Sequence, residues 1–286
     1  MSPVAVGLIL VAAFAHAGWN VAAKRAGQGG VTFVWLCLTV SAAIVVPLAA
    51  ISLVLTHQPL QWHWLPISAV SGLFQVSYFL LLQRGYAIGD MSVVYPLARG
   101  TGPLLSVVLA IVLLHERVGL LGLVGAGVVI AGVLVIGTAT GGAPTRLAAS
   151  VGYALATGVM IAGYTLWDAN AVTVLGVPPL IEFVGGSVVE AIVLAPFALA
   201  NRAKVAVNWR EHRREALIVA VFSPLAYVLV LYAMRLAPVA LVAPARELSI
   251  VIGSVVAWRY FHEPEPVRRL TGAAIVLAGV AALALG

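Results

Sequence analysis

About ten apolar segments, each near twenty residues, follow one another along almost the whole chain. They read as 3–23, 31–55, 64–83, 91–114, 118–138, 148–167, 179–200, 216–234, 239–260 and 269–285. About 20 residues of helix, rising 1.5 Å each, cross the ~30 Å hydrocarbon core of a bilayer. A helix also satisfies its own backbone hydrogen bonds, which lipid requires. A transmembrane barrel would instead alternate weakly over roughly ten-residue segments. No connection is long enough to hold a soluble domain. Only 9% of the 286 residues are charged, against roughly 25% in soluble domains, so a polar shell cannot be built. The chain is therefore expected to be an all-α integral membrane protein with ten transmembrane helices.

The net charge of +6 does not indicate a nucleic-acid partner, because the basic residues sit in short connections. Twelve of the sixteen lysines and arginines fall in connections 1–2, 3–4, 5–6, 7–8 and 9–10, densest at 201–214. The opposite side holds only Arg117 and Arg235; the remaining two, Arg99 and Arg246, lie inside spans. The positive-inside rule then puts 201–214 in the cytoplasm and both termini outside a cytoplasmic (inner) membrane. Trp62, Trp64 and Trp209 near span ends fit interfacial anchors. The lone Cys37 gives no disulfide framework and no metal cluster. Ala15-His16-Ala17 resembles a leader cleavage site but lacks a basic region before it, so this stretch is read as the first span.

The chain repeats itself. At an offset of 147, Arg99 meets Arg246, His115-Glu116 meets His262-Glu263, and Gly125 meets Gly272. Each arginine shortly follows a proline, Pro96 or Pro244, and Ala17-Gly18-Trp19 corresponds to Ala162-Gly163-Tyr164. The halves are taken as 1–143 and 144–286, forming one integrated membrane domain. With five spans in each, the second copy must cross in the opposite sense, a 5+5 inverted repeat. Such repeats mark secondary transporters, with the substrate site at mid-membrane between the copies.

The 5+5 layout, the proline-arginine spans, the His-Glu endings and the opening HAGWN resemble the ten-helix EamA-type branch of the drug/metabolite transporter superfamily. That resemblance covers the whole chain. It implies a transporter, not an enzyme, for amino acids, nucleotide sugars, drugs or other small metabolites. Many members are drawn with cytoplasmic termini, opposite to the charge count, which is kept here.

Polar groups inside a bilayer need a partner or a task. Arg99 and Arg246 stand roughly 12 Å deep if their spans are straight, and Pro96 and Pro244 are expected to break those helices. Interrupted helices supply ligands in transporters. The alternative is an internal ion pair, Arg246 with Glu247 or either arginine with Glu190. Glu190, near the middle of span 7, is a candidate for proton coupling or gating, whereas Glu182 is placed at a wet outer end. His16, Trp19 and Asn20 share one helical face, and span 6 offers Tyr164, Thr165, Trp167 and Asp168. Asp168 and Lys24 fall at expected span ends and read as solvated. Tyr78, beside Gln75 in span 3, and Tyr227 in span 8 need buried partners for their hydroxyls. Trp19, Asn20, Tyr78, Arg99, Tyr164, Tyr227 and Arg246 are the expected substrate-binding set. Glu190, Glu247 and His16 are the expected coupling or gating groups. His16 has no second ligand at metal spacing, so no metal or other cofactor is expected. The His-Glu dipeptides read as helix-end polar clusters. Gly122, Gly125, Gly132, Gly272 and Gly279 suit close helix packing or a homodimer through spans 5 and 10.

No Walker motif is present, so this chain does not itself hydrolyse ATP to drive a pump. The leading expectation is alternating-access transport of a small organic metabolite, amino-acid export first. A lipid or lipid-linked-sugar flippase and a channel-like uniporter are the alternatives, while an intramembrane enzyme lacks any nucleophile paired with a base.

Overall fold

The computed structural model describes residues 1–26, 30–88, 91–137, 147–261 and 266–285. His262-Glu263 and Arg146 therefore lie outside the described residues. Those described form eleven helices and no strand. In the first half these are α1 (Pro3–Arg25), α2 (Gly30–Leu55), α3 (Trp64–Ile88), α4 (Met91–Leu113) and α5 (Leu120–Gly137). The second half supplies α6 (Leu147–Thr173), α7 (Pro179–Ala200), α8 (Arg202–Met234), α9 (Val239–Ala245), α10 (Leu248–Phe261) and α11 (Pro266–Leu285). Six of them, α1, α2, α3, α6, α7 and α8, are long and apolar enough to cross a membrane. Shorter apolar stretches occupy Leu97–Leu113, Leu120–Val135 and Leu270–Leu285.

Local chemistry sets several ends. Ser2 caps α1, its hydroxyl accepting from the Ala5 N–H at 3.2 Å, and Pro3 takes the first helical position, where a missing N–H costs nothing. The Met1 ammonium donates to the Ala284 carbonyl at 3.0 Å, so α1 begins beside the end of α11. At 33 residues, α8 is roughly 50 Å long and exceeds the ~30 Å core. Its excess carries the basic segment 202–214, which is helical, with non-helical backbone at His212. Asn208 fastens this extension to α2 through Thr32 Oγ1 at 3.0 Å.

The two prolines expected to break helices behave differently. α4 runs through Pro96 without interruption from Met91 to Leu113. The span around Pro244 is divided into α9 and α10. Pro244 has no N–H to donate back along the helix and its ring crowds the preceding turn. The ladder then tightens: Glu247 N–H bonds the Pro244 carbonyl, three residues back, at 3.0 Å, and Ile250 N–H bonds Glu247 at 2.8 Å. Pro96 and Pro244 each stand sixth in their helices, so the length of helix before them does not separate the two; α4 continues to Leu113 past Pro96, whereas α9 ends at Ala245, one residue past Pro244. Pro244 is the penultimate residue of a seven-residue helix whose residues are all buried.

The largest core cluster gathers residues of α1, α4, α5, α6, α8, α9, α10 and α11, with α9 inside it. α5 and α11 meet backbone to backbone. A Cβ on Gly125 would lie 2.9 Å from the Gly279 carbonyl oxygen, and one on Gly279 would lie 2.8 Å from that of Gly125. Gly132 approaches the Gly272 carbonyl in the same way. The glycine faces are thus occupied within one chain and are not open for the homodimer considered from sequence. Trp64 is also not an interfacial anchor: it is 3% exposed, packed with Ala49, Ala171, Val177 and Ile181. Trp62 and Trp209 are exposed.

Candidate functional site

The break between α9 and α10 sets two charged residues where a straight helix would offer its side only. Arg246 and Glu247 project there into a cavity shared with α1 (Ala12, Ala13, His16), α4 (Arg99), α6 (Tyr164) and α8 (Tyr227, Val230). About 50 Å³ of it is open to the centres of water-sized molecules, room for a few waters.

Both arginines turn to one carboxylate. Arg99 Nη1 lies 3.6 Å from Glu247 Oε2, and Arg246 Nε lies 3.5 Å from Glu247 Oε1. The expectation that Glu190 might pair with either arginine is not met, since Glu190 takes part in no ion pair among the described residues. These are ion-pair separations rather than good hydrogen bonds, and they leave polar capacity unused. Arg246 Nε, Glu247 Oε2 and His16 Nε2 are buried without a hydrogen-bond partner. All three belong to residues of the cavity wall.

Aromatic rings build the rest of the wall. The Arg246 guanidinium sits 5.7 Å above the Tyr164 ring, a cation–π distance. Tyr164 contacts Tyr227 at 6.2 Å between centroids, and Tyr78 backs Tyr164 at 6.1 Å. The Tyr227 hydroxyl donates to Asp168 Oδ2, so a carboxylate stands directly behind the ring. The wall itself carries two arginines and one carboxylate, Glu247, while Asp168 stands outside it behind Tyr227.

Arg99, Tyr164, Tyr227 and Arg246 of the expected binding set line the cavity, and so do His16 and Glu247 of the gating set. Tyr78 stands one ring behind. Trp19 is not in the wall; it packs edge-on against His16 at 4.9 Å. Asn20 donates to its own helix, bonding the His16 carbonyl at 2.7 Å.

Two acidic residues read as wet are buried. Asp168 is 0% exposed, because α6 continues to Thr173 rather than stopping at 167. Glu182 is 1% exposed and accepts from the Ser68 hydroxyl at 2.6 Å. The signal for Asp168 lay in the run Ala169-Asn170-Ala171-Val172 that follows it, which carries no charge and extends the helix. Lys24 is exposed, as a span-end lysine should be.

The family model described as "EamA-like transporter family" matches this chain twice, over residues 3–138 and 148–285. The chain belongs to the EamA-like transporter family. This EamA-like transporter carries the family unit once per half, α1–α5 and then α6–α11, and the break in the second unit supplies the charged wall. It is a membrane transporter of small solutes. No curated protein sequence matches it. Among solved structures, one titled only "Crystal structure of protein" superposes with a TM-score of 0.75. It covers 100% of this chain and 98% of its own at 16% identity, a likeness of fold alone.

Proposed function

We propose that this EamA-like transporter is a secondary transporter exporting amino acids or similar amphipathic organic metabolites. It has ten spans in two inverted halves and exposes the cavity to each side of a cytoplasmic membrane in turn. The observation that carries this reading is the set of unpartnered polar atoms on His16, Arg246 and Glu247 around one cavity. Buried polar groups without partners are costly, and a zwitterionic ligand would satisfy them, its carboxylate accepting from Arg246 Nε and its ammonium donating to Glu247 Oε2. Arginine suits a carboxylate; Tyr164 and Tyr227 suit the rest.

Counterflow in proteoliposomes, with labelled amino acids, sugars and organic cations, tests the cargo. Saturable exchange of an amino acid is expected, whereas flux that never saturates would identify a channel-like uniporter. Tyr164→Ala should lower that exchange about tenfold, since it removes both the cation–π partner and the wall. Trp19→Ala, outside the wall, should lower it less. Normal flux in Tyr164→Ala at normal membrane abundance would make the ring simple packing.

The orientation follows from the twelve-to-two distribution of basic connection residues. Both termini face outside and the basic start of α8 faces the cytoplasm. With Cys37→Ser as background, Ala206→Cys should resist an impermeant thiol reagent in intact cells and react after the cells are opened. Labelling in intact cells reverses the orientation.

A further inference from the structure

The His-Glu dipeptide is the repeated motif that the cavity does not use, and in the first half its geometry is on view. α4 ends at Leu113, and His115 adopts a left-handed backbone with φ of 55°, uncommon for a residue bearing a Cβ. That turn sends Glu116 across to the second half. Glu116 Oε1 accepts from the Val239 N–H at 2.7 Å and Oε2 from the Ala240 N–H at 2.9 Å. These are the opening N–H groups of α9, which have no partner inside their own helix.

α9 is a short strut. It has seven residues, all buried, and spans roughly 10 Å. Glu116 fastens one end, and the other runs directly into Arg246 and Glu247 of the cavity. Beside the fastened end lies a groove of about 570 Å³, walled in part by Glu116, Asn170, Arg235 and Val239. The groove and the cavity share no lining residue, so they are separate spaces here. The groove sits among connections 4–5, 6–7 and 8–9, at the end poor in basic residues.

We propose that Glu116 is a latch that holds this end of the cavity shut. It ties α9 to the end of α4, and its release lets groove and cavity join while α9 carries Arg246 and Glu247 with it. The inference rests on the transporter reading above. Both bonds tie the end of α4 to the start of α9, so neither survives if α9 moves away from α4 at this end. A carboxylate accepting two backbone N–H groups is a charge-assisted contact. Its water-exchanged strength is worth roughly a factor of ten to a hundred in an equilibrium, enough to bias a gate and weak enough to be broken.

Spin labels at Arg117→Cys and Leu236→Cys, in the Cys37→Ser full chain in lipid nanodiscs, read the distance across this end. Glu116→Gln is expected to raise the population of longer distances about tenfold, and Glu116→Ala at least as much. A cysteine at Val230, in the cavity wall, should then react about tenfold faster with a bulky thiol reagent. Unchanged distances in both Glu116 variants overturn the latch, including the case where the melting temperature falls without opening and Glu116 is a plain helix cap. Counterflow on the same proteins separates the two readings. Unshifted distances with normal exchange reject the latch alone, and shifted distances with no exchange of any solute reject the cargo reading and keep the latch.

Discussion

Glu247→Gln will cost the protein most of its stability in the membrane. Two guanidinium groups face this one carboxylate, at 3.5 and 3.6 Å, in a setting where Glu247 itself is 1% exposed. Removing one partner of a buried ion pair typically costs ~3–5 kcal/mol, because the remaining charge is left uncompensated. Here two cations lose the same counterion. Thermal unfolding in detergent and abundance in membranes should both fall sharply, and adding Arg99→Gln should recover part of the loss. Glu190→Gln provides the contrast. With no ion pair to break among the described residues, it should melt like the unaltered protein. If Glu190 carries the coupling proton, the same variant should lose the pH dependence of net flux while exchange persists. A Glu247→Gln protein as stable and abundant as the original would show that the triad contributes nothing to the fold.

Asp168→Ala should be the next most damaging change. It removes the acceptor of the Tyr227 hydroxyl from a position with 0% exposure. A buried hydroxyl left without a partner costs about 1–3 kcal/mol, and a small cavity adds to that. The Tyr227 ring forms part of the cavity wall, so its loss of anchorage should also weaken solute binding. Asp168→Asn keeps an acceptor and should keep most of the stability. A double-mutant cycle of Asp168→Ala with Tyr227→Phe measures the contact; a coupling energy near zero would remove Asp168 from the site.

The spans were legible because each is a long apolar run, and lipid leaves a chain few alternatives to helix. Charges inside those runs were legible as exceptional, but their partners were not. For Arg99 the sequence offered Glu190 alone, and Glu247 only as a partner for its neighbour Arg246. Only the packing of α4 against α9 brings Arg99 to Glu247, 148 positions away. Asp168 was misread because a charge at the edge of a hydropathy window looks like the end of a span. Its partner, the Tyr227 hydroxyl, arrives from α8, 59 positions away. Pro96 and Pro244 looked alike as well, and each stands sixth in its helix, yet the helix continues past Pro96 and divides after Pro244. Glu116 was visible as half of a repeated motif. Its partners lie 123 and 124 residues further on, a relation that no local pattern encodes.

The tightest helix contacts do not respect the repeat. α5 packs on α11, α1 on α8, α4 on α6, α3 on α6 and α7, and α2 on α7 and α8. Each of these pairs joins one half to the other, and Gly125 and Gly279 touch with no side chain between them to slide or yield. A rocking motion that swung residues 1–143 as one block against the rest would shear nearly all these seams at once. Under the alternating-access reading proposed above, the bodies that move would be bundles drawn from both copies, with hinge lines cutting across each repeat: the unit that was duplicated would not be the unit that pivots.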